Sequence, residues 1–350
     1  MGQRLRIGII APPWAAVPPT GYGGTEAVLD RLGRGLQQLG HDVTLFTTGD
    51  STCPVERRWV LERSQPDRIG DAVTEIEHVV HAYDELRTMD VVHDHTNVGP
   101  LYAWRFADLP GVATNHGPFN EELTAMYRAS QGRVALVAIS HHQASTAPDL
   151  HIDAVIHHGV DPEAFPVGRG DGGYVLFLGR MAPEKGAREA AIAARRAKVP
   201  LLMAAKLREA TEHAYFDDQV RPLLGDGIEY LGEVDHEQKL ALLAGASALL
   251  NPIQWPEPFG LVMIEALACG TPVLAFPNGA APEIVEDGHT GYLCADTDIM
   301  SHRIHDARTI DRQACRAAVE RHFSTSRMCQ DHVALYDRVV AHHGCVSPQI

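Results

Sequence analysis

The chain has 350 residues, 45% of them hydrophobic, which is enough apolar material for two domains of ordinary size and too much for one small domain. Acidic residues outnumber basic residues by 45 to 30, and the formal charge of −15 divides into −9 over residues 1–166 and −6 over residues 167–350. Neither half has the excess of basic residues that a nucleic acid or an anionic bilayer requires, so we expect no nucleic-acid partner and no tight membrane association.

The compartment is predicted from the first apolar run and from the cysteines. Residues 7–11 form a run that is shorter than the core of a secretory signal and much shorter than the about 20 residues of a membrane-spanning helix. The six cysteines form no C-x-x-C pair and no zinc spacing, which is typical of reduced core positions. We therefore expect a cytoplasmic protein. Histidines cluster at 93–95, 141–142, 157–158 and 342–343, but strand ends and solvated helix faces explain these clusters more simply than a metal site.

Short β-branched runs alternate with helical stretches over the first half of the chain. A strand is predicted over residues 5–11 and is followed by a loop rich in proline and glycine. A helix is predicted over residues 25–39, where the apolar side chains form one stripe and Gly40 is the natural stop. Further strands are predicted at 42–48, 91–95, 112–116 and 134–140. This alternation is typical of a parallel sheet covered by helices on both faces.

The same pattern starts again after residues 166–173, a segment of proline, glycine and charged residues with nothing to bury. Strands are predicted at 174–179, 200–206, 228–234, 246–252 and 271–277, with helices at 187–198, 212–220, 236–244 and 260–269. From about Asp311 the chain is predicted to be helical as far as His343, which is long enough to return to the first domain.

We therefore predict an α/β protein of two doubly wound domains that face each other across a central cleft. The predicted domains are an acceptor-binding domain at 1–166, a donor-binding domain at 167–325, and a C-terminal helix at 326–350 that crosses back to the first domain. In such sheets, ligands bind at the carboxyl ends of the strands, so we expect the site in the cleft.

Two basic residues follow the first predicted strand of the second domain, in the segment G-R-M-A-P-E-K-G at 179–186. Arg180 and Lys185 lie five residues apart on a turn shaped by Pro183 and Gly186, and two cations at this point can bind a diphosphate. The alternative is an ordinary strand–helix loop with two solvated bases. Because the chain has 26 arginines and only four lysines, a lysine in this loop favours the diphosphate site.

Two glutamates flank a predicted helix start in the segment P-E-P-F-G-L-V-M-I-E-A at 256–266. The first free N–H groups of this helix, near Gly260 and Leu261, form a positive end that suits a phosphate. Glu257 precedes the helix and Glu265 lies more than one turn inside it, so the two carboxylates can reach different ends of one extended ligand. Carboxylate oxygens accept hydrogen bonds from the vicinal hydroxyls of a sugar or a ribose. The alternative for Glu265 is a surface acid, but its apolar neighbours indicate a buried helix.

These motifs together resemble the retaining glycosyltransferases of family 4. Glu257 and Glu265 form E-x(7)-E, which is joined by the 179–186 segment and by the early G-G-T-E at 23–26. The segment I-H-H-G-V-D-P-E-A-F-P at 156–166 is similar to the family's N-G-V-D-x-x-x-F hinge, with His158 in place of asparagine, and the segment G-T-P-V-L-A at 270–275 also matches. The resemblance covers nearly the whole chain and implies the GT-B fold, with two Rossmann-like domains around a cleft.

For the donor, the resemblance implies one role at each matching position. Arg180 and Lys185 would neutralise the diphosphate and stabilise the leaving nucleoside diphosphate. Glu257 would hold hydroxyls of the transferred sugar, and Glu265 would hold the ribose hydroxyls. The remaining donor contacts are the backbone N–H groups of Phe259, Gly260 and Leu261 and the turn Gly232-Glu233-Val234 at the base. Lys206 ends a strand and is a candidate to point into the cleft.

For the first domain, the resemblance implies that Gly23 and Gly24 let the backbone approach the diphosphate and the acceptor closely. His116, in T-N-H-G at 114–117, lies where the family places a histidine over the reacting sugar. Asp94 and His95 are weaker candidates for acceptor contacts. We thus expect Glu257, His116, Arg180 and Lys185 to act on the reacting groups.

The function that follows is the retaining transfer of a hexose from a nucleoside-diphosphate sugar, with a UDP-sugar as the expected donor, to a hydroxyl of a soluble small molecule or glycan. No carboxylate is clearly placed for a covalent intermediate, so we expect front-face substitution. We expect no cofactor and no metal, although Asp296 and Asp298 match the D-x-D pattern of metal-dependent transferases. The charge of −9 on the acceptor domain favours a soluble acceptor over a lipid at an anionic surface.

Four alternatives stay open at this point. The donor could be GDP-mannose, which would make the protein a mannosyltransferase. A nucleotide-sugar epimerase or hydrolase can use the same fold, and a protein that binds nucleotide sugars without turning them over would carry the same motifs. A dinucleotide-dependent dehydrogenase is disfavoured because A-P-P-W at 11–14 stands where its glycine-rich turn would be. The acceptor, the linkage and the oligomeric state are not predicted.

Overall fold

The computed structural model describes residues 3–21 and 23–346, with side chains as far as His343. The chain forms two compact units. The first contains the residues up to Gly159 together with the helix that begins at Thr325, and the second is Val160–Ser324. Each unit has its own parallel sheet covered by helices, as the strand–helix alternation predicts.

The first unit is built on a seven-stranded sheet in which every pairing is parallel. Its strands are β1 (Arg6–Ile10), β2 (Asp42–Thr47), β3 (Glu56–Trp59), β4 (Val91–Asp94), β5 (Gly111–Thr114), β6 (Ala135–Ala138) and β7 (Ala154–Val155). The order across the sheet is β3-β2-β1-β4-β5-β6-β7, so the winding direction reverses between β1 and β4. In doubly wound sheets this switch point opens a crevice at the carboxyl ends of the strands.

In the part of the chain that the structure describes, five α-helices of the first unit connect these strands. They are α1 (Gly24–Gln38), α2 (Ala72–Leu86), α3 (Gly99–Tyr102), α4 (Glu121–Ser130) and α5 (His141–Ser145). Polar side chains cap three of the helices, since Asp71, Asn120 and Ser140 each accept a backbone N–H of the first turn of α2, α4 and α5. The core is formed by the buried apolar side chains of the central strands and of α2, which include Ile10, Val92 and Tyr83.

The second unit repeats this plan with a six-stranded parallel sheet. Its strands are β8 (Val175–Arg180), β9 (Leu201–Lys206), β10 (Ile228–Gly232), β11 (Leu249–Asn251), β12 (Val273–Ala275) and β13 (Gly291–Leu293). Its helices are α6 (Ala187–Ala197), α7 (Ala210–Tyr215), α8 (His236–Gly245), α9 (Leu261–Ala268), α10 (Ala281–Ile284), α11 (Thr297–Asp306) and α12 (Arg312–His322). The strand order β10-β9-β8-β11-β12-β13 places the switch point between β8 and β11.

The last helix, α13 (Thr325–Val346), belongs to the first unit and packs against α1. The sequence predicts a helical chain from about Asp311 to His343, and the structure divides this stretch into two helices, α12 and α13. They are separated where Val160 donates its N–H to Phe323 O at 2.9 Å and pairs with Ser324. The sequence places the domain boundary at 166, whereas in the structure the second unit begins at Val160. The segment after Gly159 is held in the second unit by this pairing and by a bond of 2.7 Å from Arg316 to Phe165 O.

Candidate functional site

Arg180 is the last residue of β8, and its guanidinium lies between two carboxylates. It donates to Glu184 Oε1 at 2.6 Å and to Glu212 Oε1 at 3.2 Å. Glu212 also accepts the backbone N–H groups of Arg208 at 2.9 Å and Glu209 at 3.2 Å. Burial raises the pKa of Glu212, but these two N–H donors and the cations Lys206 and Arg180 lower it further than burial raises it, so that the pKa lies below its ordinary value. Arg180 is therefore held in place by an ionised acid.

Lys185 and Glu257, which are 72 residues apart in the sequence, meet at the carboxyl end of this sheet. Lys185 Nζ lies 2.8 Å from Glu257 Oε1 and 2.5 Å from Oε2, and Trp255 Nε1 donates to Oε2 at 2.6 Å. The ammonium also lies 5.5 Å from the centre of the Trp255 ring. The two loops are joined by a backbone bond of 2.8 Å from Gln254 N to Glu184 O. Because an ammonium has three N–H groups, Lys185 has one more donor than Glu257 uses.

The N-terminus of α9 follows Glu257 directly. Gly260 is the N-cap with φ of +105° and ψ of +69°, a conformation that side-chain-bearing residues rarely adopt. The first turn of α9, which begins at Leu261, forms the positive end of the helix, and Met263 N donates to Gly260 O at 3.1 Å. Phe259 is buried and packs edge-on against Phe323, with 6.2 Å between the ring centres. This packing fixes the loop from which the helix starts.

Glu265 lies inside α9, among apolar residues that are almost completely buried. Its side chain is 8% exposed, and its Oε2 accepts from Lys239 Nζ on α8 at 2.9 Å. Sequence reasoning placed Glu265 in a buried helix, which the structure confirms, but it did not identify Lys239 as its partner.

The turn Gly232-Glu233-Val234 leads from β10 into α8. Val234 is half-buried, and Glu233 Oε2 accepts from Arg208 Nε at 3.0 Å and from Arg208 NH2 at 2.6 Å. Lys206, at the end of β9, pairs with Glu209 at 3.3 Å. Arg180 and Lys206 are paired at the ends of the neighbouring strands β8 and β9, and Lys185 bonds Glu257, while the contacts of these residues with a donor stay a prediction.

The predicted residues of the first unit lie at the carboxyl ends of β1, β4 and β5. Gly23 is the N-cap of α1 and Gly24 is its first residue, so that both lie in the turn that follows β1. Glu26 in the first turn is buried, and burial raises its pKa while its own backbone N–H partly offsets that rise. A Cβ at Gly23 would lie 2.6 Å from Pro19 Cβ, which explains the absence of a side chain there.

His116 follows β5 and bonds to two other imidazoles. Its Nε2 lies 2.8 Å from His95 Nδ1, and its Nδ1 lies 3.3 Å from His158 Nε2. Next to this row, His93 bonds Tyr336 OH and Thr114 Oγ1 at 2.7 Å each, and its ring centre lies 3.9 Å from that of His95. Since each nitrogen pair needs one donor and one acceptor, the row fixes the ring tautomers relative to one another.

Burial keeps these imidazoles neutral. It lowers the pKa of His116 to about 4 and that of His332, whose ring centre lies 5.0 Å from that of His93, to about 3. It also lowers the pKa values of His93, His95 and His158 well below the ordinary value. His116 is therefore an uncharged group at neutral pH, which suits a ring that faces a sugar rather than a phosphate.

Asp94 at the end of β4 is fully buried. Its carboxylate accepts from the Tyr83 hydroxyl at 3.0 Å, from Thr96 N at 2.8 Å and from the Thr96 hydroxyl at 2.7 Å. Burial raises the pKa of Asp94 to about 7, although these donors act in the opposite direction. His95 is a member of the histidine row and Asp94 precedes it at the end of β4, and the contact of either residue with an acceptor stays a prediction.

The D-x-D pattern at Asp296 and Asp298 has a local structural explanation. Asp296 is the N-cap of α11 and accepts the N–H of Ile299 at 2.8 Å, while Asp298 pairs with Arg196 on α6. Within residues 3–21 and 23–346, no group of three or more histidine, cysteine or carboxylate side chains is arranged to hold a metal ion. Sequence reasoning missed Glu212, Lys239 and His332, since each lies far in sequence from the residue that it contacts. It also missed Trp255, which lies two residues before Glu257 and donates to its carboxylate.

Comparison with known proteins identifies the family. Residues 22–164 match the model of Glycosyltransferase Family 4, and residues 163–307 match the model of Glycosyl transferases group 1. The chain belongs to glycosyltransferase family 4. The family predicted from the E-x(7)-E and G-R-M-x-x-E-K-G motifs is thereby confirmed, and the protein is a glycosyltransferase.

Relatives and solved structures agree with this assignment. The chain is 29% identical over 329 residues to a phosphatidyl-myo-inositol mannosyltransferase of Propionibacterium freudenreichii subsp. shermanii, and the match covers 82% of each of the two chains. It matches the structure of AviGT4, a glycosyltransferase involved in avilamycin A biosynthesis, with a TM-score of 0.70 and 27% identity over 97% of this chain and 98% of that one. It also matches a sucrose-phosphate synthase from Thermosynechococcus elongatus with a TM-score of 0.79 and 21% identity over 97% and 100%. These likenesses confirm the GT-B fold. Among the helices that the structure describes, none has the length and apolarity needed to span a bilayer.

Proposed function

We propose that this glycosyltransferase transfers a hexose, with retention of anomeric configuration, from a nucleoside-diphosphate sugar to a hydroxyl of an acceptor. The observation that carries the proposal is the Lys185–Glu257 pair, with Nζ–O distances of 2.8 and 2.5 Å. A cation for the leaving diphosphate and a carboxylate for the sugar hydroxyls are in direct contact, beside the positive end of α9. One extended donor can therefore satisfy both groups.

The proposed chemistry is front-face substitution. The bond between C1 of the hexose and the β-phosphate oxygen breaks while the acceptor oxygen bonds C1 from the same face. The acceptor proton passes to the departing phosphate oxygen, so no protein base and no covalent intermediate is required. Arg180 and Lys185 stabilise the negative charge that grows on the diphosphate. We propose that this charge stabilisation needs no divalent metal and no cofactor, so that activity persists in a chelator.

A UDP-sugar is the proposed donor. The support is the turn at Glu233, whose carboxylate is bound by the Arg208 guanidinium at 2.6 and 3.0 Å. Guanine presents two adjacent N–H donors that a carboxylate binds well, whereas the uracil edge offers a single N–H between two carbonyl oxygens. A carboxylate already bound by an arginine favours uracil over guanine.

A mannosyl donor such as GDP-mannose is the second candidate. The observation in its favour is the relative named as a phosphatidyl-myo-inositol mannosyltransferase, which matches 82% of this chain. The experiment that separates the two is a donor panel of UDP-glucose, UDP-galactose and GDP-mannose, with release of the nucleoside diphosphate followed in real time. Faster release from a UDP-hexose supports the first proposal, and faster release from GDP-mannose supports the second.

The proposed acceptor is a soluble small molecule or glycan. The first unit carries 14 arginines, no lysine and 21 acidic residues, a net charge of −7 that an anionic bilayer repels. Sedimentation with phosphatidylserine-containing vesicles at about 0.15 M salt tests this proposal. The protein is expected to stay in the supernatant, and a pellet that grows with the phosphatidylserine content would favour a lipid acceptor. A cytoplasmic location is part of the proposal, since the cysteines described are buried thiols of the kind that persist in reducing compartments.

A further inference from the structure

Glu265 is an acid in a helix that is otherwise built for an apolar core. The α9 residues Met263, Ile264, Ala266, Leu267 and Ala268 are all buried, and the Glu265 side chain is only 8% exposed. Removing a carboxylate from water costs several kcal/mol unless hydrogen bonds and a cation offset that cost. A purely structural role would not need an acid here, because an apolar side chain of similar size packs at least as well.

Lys239 supplies the cation. It comes from the first turn of α8, and its Nζ lies 2.9 Å from Glu265 Oε2. A cation near a helix N-terminus is itself unfavourable, by about 0.3–1 kcal/mol at exposed positions. The start of α8 is fixed by a capping box, in which Asp235 Oδ1 accepts Gln238 N at 2.8 Å and Gln238 Oε1 accepts Asp235 N at 3.1 Å. The Lys239–Glu265 pair therefore forms despite the cost of burying the carboxylate and the cost of a cation near a helix N-terminus. The capping box holds the start of α8 in place.

The same arrangement occurs at the other glutamate of the E-x(7)-E motif. Glu257 is bonded by Lys185 and Glu265 by Lys239, so two of the four lysines in the chain bond the two motif glutamates. The other 26 basic residues are arginines. Lys239 donates to Glu265 Oε2 from a single point, so it can fix the direction of the carboxylate without the two parallel bonds that a guanidinium can make.

We propose that Lys239 is a positioning residue that orients the Glu265 carboxylate for the two ribose hydroxyls of the donor nucleotide. The inference rests on the proposed function, in which Glu265 binds the ribose. Because α8 begins directly after the turn at Val234, Lys239 also links the segment on the base side to the acid on the ribose side. The role is to fix the direction of a carboxylate, without contact between Lys239 and the reacting atoms.

The test compares binding of UDP with binding of 2′-deoxy-UDP by calorimetry, in the wild type, Lys239→Met, Lys239→Arg and the control Lys198→Met. Lys198 is an exposed lysine of the same unit. The wild type and the control are expected to bind UDP at least about tenfold more tightly than 2′-deoxy-UDP. A factor of about ten corresponds to one hydrogen bond to a charged group. Lys239→Met and Lys239→Arg are expected to reduce this preference to less than about threefold, while binding of 2′-deoxy-UDP changes little.

The outcomes separate the inference from the function on which it rests. A wild type that binds both nucleotides equally overturns the ribose role of Glu265 and the inference with it. A wild-type preference that persists in Lys239→Met, with both affinities lowered by the same factor, overturns the inference and leaves the proposed function standing. If Lys239→Met does not fold, Lys239→Arg, which keeps the charge, decides in the same way. If GDP binds more tightly than UDP, the same comparison is made with GDP and 2′-deoxy-GDP.

Discussion

Lys185 Nζ donates to both oxygens of Glu257, at 2.8 and 2.5 Å, and Trp255 Nε1 donates to the same carboxylate at 2.6 Å. The contact joins the loop after β8 to the loop before α9, and it brings together the two charges that sequence motifs 72 residues apart assign to the diphosphate and to the sugar. In the proposed function, the cation assigned to the leaving diphosphate therefore also fixes the acid assigned to the sugar hydroxyls.

Lys185→Met is expected to lower kcat by about 10²–10³, the usual effect of removing one group that stabilises charge in the transition state. The reason is that methionine keeps the length of the side chain but carries no charge for the departing diphosphate. The measurement is initial rates with the best donor, with circular dichroism as the check on folding. Lys198→Met is the control and is expected to retain wild-type kcat. A kcat of Lys185→Met within threefold of the control value would contradict the assignment of Lys185 to the diphosphate.

Arg208→Ala is expected to shift nucleotide preference from UDP towards GDP. The substitution removes the guanidinium bound to Glu233 at 2.6 Å and leaves that carboxylate able to accept from guanine. The ratio of the dissociation constants for GDP and UDP is expected to fall by about fivefold to tenfold, as measured by calorimetry. Arg221→Ala, which removes a surface arginine paired with Asp217, is the control. An unchanged ratio of the two dissociation constants would mean that Glu233 does not determine which base is bound.

Gly260→Ala is expected to destabilise the second unit and to weaken donor binding. A φ of +105° costs a residue with a Cβ about 1–3 kcal/mol, and each kcal/mol lowers the melting temperature by about 2–4 °C for a protein of this size class. Gly288→Ala is the matched control, because Gly288 has φ of +75° and open space around its Cβ position. Both variants are expected to melt earlier, but only Gly260→Ala is expected to raise the dissociation constant for UDP. Equal affinities in the two variants would exclude the α9 N-terminus from the donor site.

The buried histidines predict how stability depends on pH. Burial lowers the pKa of His332 to about 3, with Arg327 and His116 acting in the same direction, whereas the unfolded chain titrates near 6.5. Between these values the unfolded state binds the proton and the folded state does not, so stability is lost as the pH falls below about 6.5. Asp94, with a pKa raised to about 7, acts in the opposite direction because its folded form binds the proton more tightly.

His332→Asn is therefore expected to take up about one proton fewer on unfolding at pH 5. The slope of the unfolding free energy against pH becomes smaller by about 1.4 kcal/mol per unit in this range. Chemical denaturation at pH 4.5–6.5 measures the slope, and His81→Asn, at an exposed position, is the control. A variant slope equal to the wild-type slope would show that His332 carries a proton in the folded protein.

Much of the fold follows from patterns that are local in the sequence. The strands at β1, β2, β8 and β9 are short buried β-branched or apolar runs, and the helix at α1 has a single apolar stripe that ends before Gly40. The break between α12 and α13 could not be predicted in this way. It depends on Val160, which lies more than 160 residues away and binds Phe323 as the chain passes from one unit to the other.

The candidate site divides in the same manner. Arg180, Lys185, Glu257 and Glu265 belong to motifs whose spacing is visible in the sequence, and the structure places Arg180 at the end of β8, Lys185 and Glu257 in the loops before α6 and α9, and Glu265 inside α9. The partners of these residues could not be predicted from the sequence, because a partner such as Lys239 contacts Glu265 from a different helix. The row of His95, His116 and His158 likewise forms only when separate loops meet.

The central claim is that the protein transfers a hexose with retention, and proton NMR of the first product tests it most directly. The enzyme is mixed with an α-configured UDP-hexose in the absence of added acceptor, so that water takes the place of the acceptor, and the anomeric proton of the released sugar is followed before mutarotation. The account predicts that the α-anomer appears first and that Lys185→Met releases it at a rate lower by about 10² or more. Release of the β-anomer first would contradict the account.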